Sequence, residues 1–193
     1  MLLIEFFTLN LFTNQSCTGN FLGAAQGAGW VAELIARLSS SPVIPGGSVN
    51  TTLDSSRSTF PLGLLMYADF SHDDQLTSMF SAMGLYDALF ASGLSNTTIT
   101  TPTAANNYYS AAWTVPFASR MYVERLACIG DLQEILEGQI IEQYVRLIIN
   151  DKVIAIPSEI CKIDEYNRCT LTDFINGEKA QIETLNAQWN EYC

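Results

Sequence analysis

The sequence has few of the residues that recognise anions, namely histidine, lysine and arginine. Its 193 residues include one histidine, and 9 lysines and arginines stand against 20 aspartates and glutamates, for a formal charge of -11 at pH 7. Nucleic acids and anionic membrane surfaces are bound through basic surfaces, so the composition argues against both as partners. It fits a protein that works in acid, where many carboxylates are protonated.

Two further absences narrow the class of protein. No apolar run reaches transmembrane length. No C-x-x-C pair or Cys/His cluster points to a metal site, so we expect neither a metal ion nor a cofactor.

The N-terminal stretch MLLIEFFTLNLF is apolar but makes a poor signal peptide, because no lysine or arginine precedes it and Glu5 interrupts it. A buried segment and a start codon inside a longer gene are the alternatives.

The sequence does contain signs of secretion. Hydrophobic residues make up 48% of a chain long enough for one domain with a real core. Three N-x-S/T sequons predict N-linked glycans, at Asn14, Asn50 and Asn96. There are 5 cysteines, of which Cys161 and Cys169 are close enough to bridge a short loop. The odd total leaves at least one thiol without an internal partner, and the pairing of Cys17, Cys128 and Cys193 stays open.

Hydrophobic periodicity organises the chain into alternating helices and strands. Residues 29–38 place apolar side chains on one helical face, with Glu33 and Arg37 paired on the other. The apolar run LLMYADF, residues 64–70, predicts a strand buried on both faces. An amphipathic helix follows it and ends near Gly84.

The second half of the chain predicts strands at 119–127 and 143–149, the latter followed by a tight hairpin turn at Asn150 and Asp151. A capping box at Thr170 opens a C-terminal helix. The mixture indicates an α/β layered fold.

His72 and Asp73 lie in the turn between the predicted strand at 64–70 and the following helix. Functional groups gather where strands end and helices begin in such folds. A protonated imidazole beside helix N–H groups could hold phosphate, and Asp73 could donate a proton to a leaving oxygen in acid. The alternative is structural: Asp73 or Asp74 is an N-cap, and His72 is a turn residue.

Longer segments carry a resemblance to a known family. The stretch YADFSHDDQLTSMFSAMGLY resembles the histidine–aspartate segment of the histidine acid phosphatases, and of the fungal phytases in particular. Other segments are similar in the same order: QGAGWVAELIARLSSSPV, NTTLDSSRSTFPL, SAAWTVPFASRMYVERLAC, YVRLIINDKVIAIP and CKIDEYNRCTLTDFI. The resemblance covers about residues 19–193 and leaves 1–18 unmatched. It implies the C-terminal part of a histidine-phosphatase layered α/β fold, with an incomplete sheet.

The resemblance also implies a reaction, the hydrolysis of phosphate monoesters such as phytate through a phosphohistidine. His72 would hold the phosphate and Asp73 would be the proton donor. The Cys161–Cys169 pair matches a family disulfide, whereas cysteines matching Cys128 and Cys193 bond in the family to residues upstream of this sequence.

The family's nucleophile lies in an Arg-His-Gly motif, and with one histidine this sequence has no second one to play that part. We therefore expect the chain to be inactive alone. A non-catalytic, truncated, secreted glycoprotein is the alternative.

Overall fold

The computed structural model describes residues 21–86, 111–127 and 141–192. The chain divides into two compact units, of which the first comprises residues 1–119 and 179–193 and the second residues 120–178. In its described residues the first unit is helical, and the second contains a sheet.

The first long helix, α1, spans Phe21–Ser39 and confirms the helix predicted at 29–38, with an earlier start. Its apolar residues recur at helical spacing, and this stripe is buried at Ala25, Ala28, Val31, Ala32, Leu34, Ile35, Ala36 and Leu38. On the more exposed side, the Arg37 guanidinium lies 3.1 Å from the Glu33 carboxylate, as the i,i+4 spacing predicts.

Three shorter helices complete the described helical part of the first unit before residue 120. Helix α2 spans Thr51–Asp54, α3 spans Asp73–Ala82 and α4 spans Ala111–Thr114. The predicted helix after the histidine is therefore confirmed. It ends at Met83, its C-cap, and Gly84 follows in the left-handed region with φ of 65°.

Helices α1 and α3 cross at very close range, because one crossing position has no side chain. A Cβ built on Gly27 would lie 2.2 Å from the backbone oxygen of Ser78. Glycine therefore lets the backbones of α1 and α3 approach more closely than any other residue would. This crossing fixes the helix that begins just after His72.

The prediction of a buried strand at residues 64–70 is wrong for this structure. The segment has no regular secondary structure, and Leu65 and Phe70 are 107% and 98% exposed. A strand needs a hydrogen-bonded neighbour, and none of the four strands in the described part of the chain pairs with this segment. Its apolar pattern is that of a central strand, but the described chain offers it no sheet to join.

The second unit contains an open antiparallel sheet, with strands β1 (Met121–Ala127), β2 (Gln143–Ile149), β3 (Lys152–Ile154) and β4 (Cys169–Thr170). Strand β2 pairs with the other three, with Met121 opposite Ile149 and Tyr144 opposite Thr170. Alternate side chains of β2 are buried, as in a sheet with one covered face. Both long strands confirm the sequence prediction.

The predicted connections of this unit are also present. Asn150 and Asp151 form the hairpin turn with φ of 48° and 66°. Cys161 and Cys169 form a disulfide, as predicted. The last helix, α5, spans Leu171–Tyr192, and the backbone N–H of Asp173 donates to the Thr170 hydroxyl at 3.1 Å. That bond is one half of the predicted capping box.

Within residues 21–86, 111–127 and 141–192, no helix combines the length and apolar character needed to cross a bilayer. The same residues contain no group of three or more side chains suited to hold a metal ion. The presence of both helices and an open antiparallel sheet matches the mixed α/β class that the sequence predicts.

Candidate active site

The structure places the only histidine of the sequence at the first position of a helix. His72 is the N-cap of α3, with φ of -116° and ψ of 171°, and its side chain makes no capping hydrogen bond. Its backbone oxygen accepts the first helical bond, from Leu76 N at 3.0 Å. The imidazole is exposed beside the N-terminus of α3, where helix N–H groups favour an anion.

Two aspartates occupy the first turn of the same helix, although neither is its N-cap. The carboxylate of Asp73 accepts from the backbone N–H of Asp74 at 3.1 Å, and that of Asp74 accepts from Gln75 N at 2.9 Å. Asp73 is exposed and Asp74 is partly buried. The structural alternative in its simplest form, with an aspartate as N-cap, is wrong, since His72 holds that position.

The backbone of the first turn is tied to the next turn by two hydroxyl groups. Thr77 Oγ1 donates to the backbone oxygen of Asp73 at 2.8 Å, and Ser78 Oγ donates to that of Asp74 at 3.1 Å. Thr77 and Ser78 are both buried. These bonds fix the backbone from which the Asp73 side chain projects, while the side chain itself stays in solvent.

The approach to His72 is anchored to α1 by a neighbouring carboxylate. Asp69 Oδ2 accepts from Trp30 Nε1 at 2.9 Å and from Arg37 Nη1 at 2.5 Å. The sequence pairs Arg37 with Glu33 only, and it gives no signal for Asp69, which lies 32 residues farther along the chain. Contacts over that separation depend on the fold and not on any local spacing.

A shallow cavity of about 230 Å³ lies between α1 and α3, on the side of Asp74. Its lining combines amide, carboxylate and hydroxyl groups with one indole ring: Gln26, Gly27, Trp30, Asp74, Gln75, Ser78 and Met79. The cavity lining therefore begins at Asp74, one residue after Asp73, and does not include His72 or Asp73.

The remaining predicted residues are only partly covered by the structure. Asn50 is exposed, and its side-chain oxygen caps α2 by accepting from Leu53 N at 3.3 Å. Its amide nitrogen is the atom that a glycan would use. Asn14, Asn96, Cys17, Cys128 and Cys193 lie outside the described residues.

Comparison with known proteins identifies the wider group. The family model for the histidine phosphatase superfamily, branch 2, matches residues 8–150. The chain belongs to the histidine phosphatase superfamily. Its helices and open antiparallel sheet are thus part of a histidine phosphatase α/β domain, as the sequence resemblance implies.

Individual members of this superfamily are similar over most of the chain. A protein named Phytase A from Arthroderma benhamiae is 48% identical over 90% of this chain, and Phytase A from Aspergillus oryzae is 45% identical over 90%. Phytase A from Aspergillus terreus is 45% identical over 82%. The matches cover 35%, 34% and 31% of those proteins, so the chain spans about a third of the length of these curated relatives.

Proposed function

We propose that this chain carries the phosphate-holding and proton-donating part of a secreted acid phosphatase of phytase type. The observation that carries the proposal is the position of His72, an exposed N-cap whose side chain makes no capping bond, directly before the exposed Asp73. An imidazolium and helix N–H groups together favour a phosphate. In the proposal Asp73, one residue later, donates its proton to the neighbouring ester oxygen.

The proposed reaction has two steps, shared between this chain and a nucleophile from elsewhere. A histidine outside these 193 residues attacks phosphorus, the bond from phosphorus to the ester oxygen breaks, and a phosphohistidine forms. Asp73 gives its proton to the departing oxygen, so that the alcohol leaves neutral. Water then hydrolyses the phosphohistidine, with Asp73, now a carboxylate, accepting the proton. His72 holds the phosphate oxygens throughout.

The substrate in this proposal is a phosphate monoester such as phytate. The relatives named Phytase A support that class. Secretion is supported by the Cys161–Cys169 disulfide and by the exposed sequon asparagine Asn50, both of which suit an oxidising, glycosylating compartment. The proposed bounds of the domain portion are residues 19–193, with residues 1–18 apart from it, although the family-model match starts at residue 8.

One observation favours a second candidate, a non-catalytic secreted glycoprotein. The sequence contains one histidine, which cannot both hold the phosphate and attack it. Under this candidate the turn at His72 binds phosphate weakly or not at all.

Turnover by the chain alone tests whether His72 holds phosphate or acts as a nucleophile itself. The 193-residue chain alone should release no phosphate from a chromogenic phosphomonoester at acid pH above the level of His72→Ala. Turnover by the chain that is lost in His72→Ala would contradict the assignment of His72 as a holding group.

The genomic sequence upstream of Met1 should encode an Arg-His-Gly segment, in frame or spliced.

In a polypeptide that contains both this chain and the Arg-His-Gly segment, Asp73→Asn should lower kcat by roughly 10²- to 10⁴-fold, the usual contribution of a general acid. Asp74→Asn is the matched control, because it removes the neighbouring carboxylate, and it should cost less than about tenfold. Equal losses in the two variants would contradict the role of Asp73.

A further inference from the structure

The segment that leads into the candidate site has no regular structure of its own. Residues 64–72 follow Phe60 without a helix or strand, and most of their side chains are exposed. No ladder of backbone hydrogen bonds therefore holds the segment in the described structure. Its position must come from side-chain contacts at a few points.

One guanidinium supplies most of these contacts. Arg37 lies over the rings of Phe60 and Tyr67, 5.0 and 5.2 Å from their centroids. Its side chain is only 14% exposed. Cation–π contacts strengthen when the cation is removed from water, so Arg37 holds Tyr67 of the segment, and Phe60 just before it, against α1.

Asp69 is the last residue of this contact network before His72. Its Oδ2 accepts from both Trp30 Nε1 and Arg37 Nη1, two donors that lie seven residues apart on α1. Two turns of a helix bring residues seven apart onto the same face, so both donors converge on one carboxylate oxygen. The Asp69 side chain is itself 37% exposed, but one of its two donors, Arg37, is largely buried, and two charge-assisted or neutral N–H donors on one oxygen restrict the carboxylate more than a single contact would.

Helix α1 thereby connects both sides of the His72 turn. Around Gly27 it packs against α3, which follows His72, and at Arg37 it holds the segment that precedes His72. These two points are ten residues apart, or roughly 15 Å along a helix. Because both contacts are on one helix, α1 sets the distance between the segment before His72 and helix α3 after it.

We propose that Asp69 is a positioning residue, which fixes the turn of His72 and Asp73 through its bonds to Trp30 and Arg37. That Asp69 fixes the turn in the chain without phosphate follows from the contacts alone. That phosphate binding at His72 depends on Asp69 also rests on the proposed function.

NMR spectroscopy of the 193-residue chain tests the positional part, since the single histidine gives one assignable imidazole signal. In the wild-type chain without phosphate, the imidazole and backbone amide of His72 should each give one narrow resonance. Asp69→Asn keeps an oxygen that can accept from Trp30 but removes the negative charge that pairs with Arg37. The turn should then adopt more than one conformation, so both resonances should broaden or split. The Trp30 indole N–H should also exchange faster with solvent.

Glu33→Gln is the matched control, because Glu33 is the other carboxylate bonded to Arg37 but lies on α1 itself. Burial, together with the charges of Asp54 and Asp69, raises the pKa of Glu33 against the opposing effect of Arg37. A neutral side chain is therefore tolerated there in acid, and the His72 resonances should stay at their wild-type positions. Unchanged resonances in Asp69→Asn, or equal changes in Glu33→Gln, would overturn the inference.

Titration with inorganic phosphate separates this inference from the proposed function. If the function holds, wild-type His72 shifts on phosphate addition, and Asp69→Asn should bind phosphate about tenfold more weakly, the scale of one charge-assisted hydrogen bond. Equal affinity in the two chains would overturn the inference while the function stands. In the opposite case, the His72 resonance of the wild-type chain stays unchanged on phosphate addition while Asp69→Asn still broadens or splits it. That result would contradict the proposed function and support the positioning role of Asp69.

Discussion

Replacing Glu178 by glutamine should stabilise the chain at neutral pH by about 3 kcal/mol and leave its stability near pH 4 almost unchanged. Glu178 lies on the buried stripe of α5, is 0% exposed, and has no hydrogen-bond partner for either oxygen among the described residues. Burial raises the pKa of Glu178 to about 8. The fold therefore favours the neutral carboxyl group, which an amide imitates at every pH.

The sign follows from the two pKa values of Glu178. The folded pKa, about 8, lies above the ordinary value of 4.5, so the stability that depends on the neutral carboxyl is complete below pH 4.5 and is lost as the pH rises toward 8. Denaturant unfolding at pH 4 and pH 7 measures the difference. The control is Glu183→Gln, an exposed carboxylate of the same helix, which should change stability by less than about 0.5 kcal/mol. Equal pH profiles for wild type and Glu178→Gln would contradict a buried, uncompensated carboxyl.

The second large effect is expected at the crossing of α1 and α3. A Cβ on Gly27 would lie 2.2 Å from a backbone oxygen of α3, and a backbone cannot rotate away as a side chain can. Gly27→Ala should therefore force the helices apart and lower the free energy of unfolding by about 2–3 kcal/mol, despite the better helix propensity of alanine. Thermal or denaturant unfolding measures this loss.

Gly29 provides the matched control on the same helix. A Cβ there would first meet the Ser48 hydroxyl, at 2.5 Å, which is the end of a side chain that can turn aside, and its nearest backbone atoms, in Ser48 and Val49, lie at 3.2 and 3.3 Å, where a shift of a few tenths of an ångström relieves the contact. Gly29→Ala gains the same helix propensity and should cost less than about 1 kcal/mol. A Gly27→Ala chain as stable as Gly29→Ala would show that the two helices are not packed as closely as described.

Local patterns in the sequence were enough to predict the three longer helices, α1, α3 and α5, and the two long strands, but not the short helices α2 and α4. The apolar spacing of α1 and α3, the alternation along β2, and the turn residues Asn150 and Asp151 act over a few residues, so a single sequence records them. The same holds for the short disulfide loop between Cys161 and Cys169. The family resemblance came from longer segments and is confirmed by the match to the superfamily model.

Predictions from the sequence were wrong or missing where the local structure depends on contacts with residues far away in the chain. Residues 64–70 have a strand's composition, but strand formation requires a neighbour, which no local pattern specifies. The anchoring of Asp69 by Trp30 and Arg37 joins residues more than 30 positions apart. Glu178 was also missed, although its spacing from Phe174 and Ile182 places it on the apolar stripe of α5. That spacing was a usable signal, since a carboxylate on such a stripe is unusual.

The central claim, that His72 holds phosphate, is tested most directly by titrating the wild-type chain with inorganic phosphate at acid pH while the His72 imidazole resonance is recorded. Sodium chloride at equal ionic strength serves as the control for non-specific screening. We expect a saturable shift of the His72 resonance with phosphate and none with chloride. A His72 resonance that does not move with phosphate, or that moves equally with chloride, would contradict it.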